Sequence, residues 1–201
     1  RGIGLAARIV NLVAFKVVYV ACVFGAAAGN AWIGPLVGLL VLPINLLFAP
    51  DRRAELRLWL LAGALGLTVD SGLLAAGLID FPASARLAPE GAIAASAVVP
   101  LWIVTLWVAF GSLVRTALGW RRRSLWIPVA FGLVGGPFSF WTGSRLGATE
   151  LPAGWASLFA LGLEYAVVLP ILLAAARRAA EGPTASSGRS DAASVSTAAP
   201  S

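Results

Sequence analysis

Hydrophobic positions in this chain run on in long blocks rather than alternating with polar ones. Six apolar segments stand out, at about 9–28, 32–48, 57–79, 97–118, 125–147 and 155–176, and nearly all charge lies between them. Each is near the ~20 residues an α-helix needs to cross the hydrocarbon of a bilayer. The pattern therefore predicts an all-α fold, an integral membrane bundle of six transmembrane helices within residues 1–180, and no second domain. The second segment is short and holds Pro35, Pro43 and Asn45, which predicts a thin or kinked helix. The stretch 80–96, with Asp80, Pro82, Arg86, Pro89 and Glu90, is the one long loop expected. From Glu181 the composition turns to Ala, Ser, Thr, Pro and Gly, which cannot bury a core, so 181–201 is expected to be a disordered cytoplasmic tail. The first segment has basic flanks and the small residues Ala26-Ala27-Ala28-Gly29, as a cleaved leader would. Lys16 in its middle and its length predict a retained helix instead.

Basic residues then orient the bundle. Arg1 and Arg8 precede the first segment, Arg52, Arg53 and Arg57 follow the second, and Arg115, Arg121, Arg122 and Arg123 follow the fourth. Arg177 and Arg178 end the sixth. With Arg189 of the tail, twelve arginines fall on one side if both termini are cytoplasmic, against Arg86 and the border residue Arg145 on the other. That bias predicts both termini inside. Trp59, Trp120 and Trp126 near inner ends, and Trp32 and Trp155 near outer ends, suit the headgroup zone; Trp107, mid-segment, reads as a packing residue.

Composition narrows the chemistry. The chain of 201 residues is 59% hydrophobic and 12% charged, where soluble domains carry about 25% charge. Its net charge of +6 comes from arginines at segment ends rather than one basic face, so no nucleic-acid partner is expected. Fourteen arginines against one lysine read as GC-rich coding, which points to a bacterial inner membrane. Histidine is absent and Cys22 is the single cysteine. An intramolecular disulfide, a zinc site built on His or Cys, a His-ligated haem and a His-based triad are thereby excluded. No metal and no cofactor are expected.

Small residues recur at four-residue spacing, as in Ala21, Gly25, Gly29 and in Gly132, Gly136; in lipid this lets helices approach closely. Three ionisable residues fall near the bilayer centre: Lys16, Asp70 and Glu164. A charge at that depth costs roughly 2.5–3.5 kcal/mol on insertion scales, so these side chains are expected to face the interior as a polar site or a structural ion pair. The fifth segment is interrupted by Gly135-Gly136-Pro137. A helix broken there and restarted at Pro137 would turn free N–H groups toward the midplane, with an ordinary proline kink as the alternative. Ser139, Thr142 and Arg145 follow at every third residue as a polar stripe, and Glu150 lies just past the end.

The strings "ACVFGAAAGNAWIGPLV", "DRRAEL", "VDSGLLAAGLIDFP", "PLWIVTLWVAFGSL" and "GGPFSFWTGSRLGATEL" occur here in order. In them the chain, from about residue 11 to 176, resembles domain-of-unknown-function family two-eight-seven-eight, small bacterial polytopic inner-membrane proteins. Lys16 departs from the neutral polar residue usual there. The resemblance implies membrane location and groups Asp70, Gly135, Gly136, Pro137, Arg145 and Glu150 together.

Three functions stay open. One is a small transporter or membrane-embedded binding protein for a small-molecule or lipid ligand, centred on Asp70 and Glu164. Another is a lipid-modifying enzyme or accessory, with Asp70 or Glu164 as acid–base and Arg145 holding a headgroup. The last is a scaffold packing against a membrane-protein partner or its own copies in the lipid bilayer. The missing catalytic constellation leans the expectation away from an enzyme.

Overall fold

The structure, a computed structural model, describes residues 4–49, 51–86, 98–116 and 126–181. Among them it is all-helical: α1 (Leu5–Ala27), α2 (Ile33–Phe48), α3 (Arg52–Ala75), α4 (Leu101–Thr116), α5 (Trp126–Leu146) and α6 (Trp155–Glu181), with a 3₁₀ turn at Ala83–Ala85. Three helices, α1, α3 and α6, are long and apolar enough to cross a membrane; α2 and α4 are apolar but shorter. The 181–201 tail (beyond Glu181), the second half of the 80–96 loop and Arg121 to Arg123 lie outside the described residues.

Helix ends follow local chemistry. α3 begins at Arg52, five residues before the apolar run at 57. Asp51 caps it, its Oδ1 accepting from Arg53 N at 2.9 Å and Ala54 N at 3.1 Å. Helices α1, α3 and α5 stop at Gly29, Gly77 and Gly147, each with positive φ. The residue after each glycine bonds back into the last turn: Asn30 N to Gly25 O, Leu78 N to Leu73 O and Ala148 N to Gly143 O, at 2.8 to 2.9 Å.

These three stops lie at one end of the bundle, where the loops lock together. Asp80 and Glu150 exchange backbone hydrogen bonds of 2.9 and 2.7 Å, joining the α3–α4 loop to the α5–α6 loop. The Asp80 carboxylate pairs with Arg86, and Trp102 Nε1 donates to Ala85 O at 3.0 Å. Arg52, Arg53 and Arg57 lie toward the opposite end.

Helix α4 is the hub, packing against α1, α2, α3 and α6. Its buried Trp102, Ile103, Trp107 and Ala109 form the middle of the core. Glycine is what brings α3 and α4 together: a Cβ on Gly111 would lie 2.7 Å from Ala62 Cβ, and one on Gly66 would overlap the Trp107 indole. Helix α5 packs mainly on α6 and meets α1 only sparsely, so the α5–α6 hairpin stands off from α4 on one side. The outside is apolar, with Leu39, Leu40, Val134, Phe138, Phe159 and Val167 all exposed. An apolar outer surface of that kind suits lipid rather than water.

Of the two readings of Gly135-Gly136-Pro137, the broken helix is corrected in favour of a proline inside a continuous helix. Helix α5 runs uninterrupted from Trp126 to Leu146 with Pro137 inside it, so no helix start faces the midplane. Pro137 cannot donate to Leu133 O, four residues back. Gly162 of α6 lies against that freed carbonyl, where a Cβ would come within 3.1 Å of the oxygen and 3.4 Å of the proline ring. The neighbouring helix thus covers the defect by close approach, and α5 has no need to open.

Candidate intramembrane site

The space left between the α5–α6 hairpin and α4 is a cavity of about 220 Å³. Its walls are Phe15 and Tyr19 of α1, Ile103 to Leu113 along one side of α4, Phe131 to Phe140 of α5, and Tyr165 and Leu169 of α6. Asp70 of α3 is the one carboxyl in that wall. The middles of α1, α4, α5 and α6 meet here with Asp70 from the C-terminal third of α3.

Asp70 is fully buried. It lies on the inward stripe of α3 with Ala62, Gly63, Gly66 and Leu74, the three-to-four spacing of one helix face. Trp107 Nε1 donates to its Oδ2 at 2.6 Å, and the absence of a Cβ at Gly66 makes room for that indole. The indole stacks on Tyr165, ring centroids 4.8 Å apart at 30°, and meets Phe110 edge-on at 6.0 Å. Glu164, only 7% exposed, comes up beside Asp70 from α6. The two carboxyls lie within hydrogen-bonding reach of each other, and apart from that contact Asp70 Oδ1 and both Glu164 oxygens are buried without a partner. Buried polar atoms are paired in nearly all proteins, so three oxygens beside a cavity with no partner outside the carboxyl pair stand out.

The remaining residues predicted for the site divide. Gly135, Gly136 and Ser139 line the cavity. Gly136 is also where Tyr165 rests on α5, since a Cβ there would lie 3.0 Å from Tyr165 Cβ. Pro137 packs against Gly162. Thr142 turns its hydroxyl back onto its own helix, donating to Phe138 O at 2.8 Å, and Arg145 is exposed. Glu150 takes part through its backbone, and no ion pair joins it to Arg145 among the described residues.

Lys16 is the second correction. It is exposed, pointing away from Asp70 and Glu164. The inward stripe of α1 is Asn11, Ala14, Val18, Cys22 and Gly25, and Lys16 sits two residues from both Ala14 and Val18, hence on the opposite side. Its long aliphatic stem lets the ammonium reach toward the interface.

Residues 8–171 match the family described as "Protein of unknown function (DUF2878)". The chain belongs to this family. The match takes in the whole cavity wall, from Phe15 to Leu169, so the site lies inside the DUF2878 region of the chain. No curated protein and no solved structure matches significantly.

Three parts of the polar interior escaped sequence reasoning. Trp107 anchors Asp70, a role visible only once α3 and α4 are paired. Glu55 is buried with Trp59 Nε1 donating to its Oε1 at 3.0 Å; its place near the 58, 62, 66, 70 stripe was the available signal. Asn11 and Asn45 both donate to Ser112 Oγ at 3.4 Å, a neutral cluster joining α1, α2 and α4.

Proposed function

We propose that this DUF2878 member is a six-span protein of the bacterial inner membrane, termini cytoplasmic, that binds or transports a small molecule in the mid-bilayer cavity. The observation that carries the reading is the buried pair Asp70 and Glu164, three of whose oxygens have no partner outside the pair, beside a cavity that Asp70 lines. Intramembrane ionisable residues with no counter-charge beside them among the described residues point to a ligand or ion path. The orientation rests on the arginine-rich helix ends opposite the bridged loops. Short α2 and α4, about 24 Å each at 1.5 Å per residue, fit a locally thinned bilayer.

A scaffold explains less. The small-residue faces are spent inside the bundle, Gly34 against Cys22, Gly66 against Trp107 and Gly132 against Tyr165. A role in lipid modification is the second reading, favoured by Phe131, a cavity-wall residue that is 54% exposed on the side where α5 and α1 barely meet.

Gly135 provides the test. A Cβ there meets only the Phe131 ring, at 3.7 Å, so Gly135→Leu grows into the cavity without striking a backbone. It also gains up to ~1 kcal/mol in helix propensity. Native mass spectrometry of protein taken from its own membranes is expected to show a small-molecule adduct on the wild type and none on folded Gly135→Leu. An adduct on both proteins, or on neither, counts against the reading.

A further inference from the structure

Resting on the reading of the cavity as a binding site, we infer that its ligand is a monovalent organic cation with a compact apolar or aromatic body, its charge seated at Asp70, with Glu164 behind it. Two carboxyls buried side by side leave the interior short of positive charge, a shortage relieved by a proton or by a bound cation. Among the described residues no basic side chain reaches them. Lys16 is exposed, Arg86 is paired with Asp80, and the other arginines sit at helix ends.

The walls select among cations. Trp107, Tyr165, Phe110, Phe15 and Phe131 give the cavity an aromatic lining, and ring faces attract a cation, the more so when it is desolvated. A calcium or magnesium ion wants about six or more oxygen ligands, whereas this lining is almost wholly carbon. An anion would meet the Asp70 carboxyl in the wall, with Glu164 beside it. A neutral apolar ligand would fill the space yet leave the carboxyl pair without a counter-charge. A cavity of about 220 Å³ holds a single-ring ammonium comfortably, and the sparse α1–α5 contact gives an amphipathic cation a side approach from lipid.

The probe is benzyltrimethylammonium, compared with its uncharged carbon isostere neopentylbenzene and with phenylmethanesulfonate, an anion of similar size. Equilibrium binding of the radiolabelled cation to the full chain in nanodiscs is expected to saturate. An excess of either comparison compound should leave it in place. Asp70→Asn keeps an acceptor for Trp107 but loses the charge, and is expected to weaken binding about tenfold or more. Displacement by the isostere or the sulfonate as readily as by unlabelled cation overturns the inference, as does an unchanged affinity in folded Asp70→Asn. The charge comparison on wild-type protein decides even if that variant misfolds. Absence of cation binding while the Gly135-sensitive adduct persists removes the inference and spares the binding reading. Absence of both removes both.

Discussion

Gly132→Leu is expected to yield no folded protein, although Gly135→Leu, three residues along the same helix, folds normally. A Cβ on Gly132 would lie 2.5 Å from Tyr165 O, 2.6 Å from its carbonyl carbon and 2.8 Å from Ala166 N. Those are backbone atoms of α6 and cannot swing aside as a flexible side-chain tip would. Overpacking usually costs about 1–3 kcal/mol; here relief requires pulling apart α5 and α6, the most extensive helix pair in the bundle. In lipid, close van der Waals fit is the main force between helices, so a lost fit has little to replace it. The check is the yield of monodisperse protein after detergent extraction, near zero for Gly132→Leu and near wild type for Gly135→Leu.

Trp107→Ala is expected to be the most damaging change in the cavity wall that still permits folding. The side chain is 3% exposed, fills the notch at Gly66, stacks on Tyr165 and donates to Asp70. Removing a buried aromatic of that size costs about 3–5 kcal/mol, and Asp70 loses the hydrogen bond from the indole. Trp107→Phe separates the two effects: the ring remains and only the donor goes, for about 1–3 kcal/mol from the unsatisfied carboxyl. Thermal denaturation in matched nanodiscs should rank wild type above Trp107→Phe and Trp107→Ala lowest. Equal stability of Trp107→Phe and wild type would mean the contact to Asp70 carries no weight.

The helices were legible in the sequence because each apolar run must satisfy its own backbone in lipid, which leaves little besides a helix of that length. Departures came where one side chain decides. Asp51 extended α3 to Arg52 by supplying a cap. The side Lys16 faces is readable too, from Asn11, Ala14, Val18 and Cys22 at helical spacing, because helical phase and not depth in the membrane decides which way a side chain points. Pro137 leaves two readings open in the sequence for another reason. Whether a proline opens a helix depends on what covers the freed carbonyl, here Gly162, twenty-five residues later in the chain. Asp70 and Glu164 stood out as intramembrane acids, yet their adjacency is a tertiary fact, set by how α3 and α6 pack. Trp107 looked like packing and is packing; its hydrogen bond to Asp70 follows from the α3–α4 pairing, which one sequence does not specify.

The central claim is that the carboxyl pair is reached through the cavity, and carbodiimide labelling tests it most directly. Dicyclohexylcarbodiimide, an apolar reagent that adds to protonated carboxyls, would be applied to native membranes and its adducts mapped by peptide mass spectrometry. The account predicts modification at Asp70 or Glu164 in the wild type, suppressed in Gly135→Leu, whose new side chain fills the route. Wild-type protein unmodified at both residues, or labelling undiminished by Gly135→Leu, would contradict it.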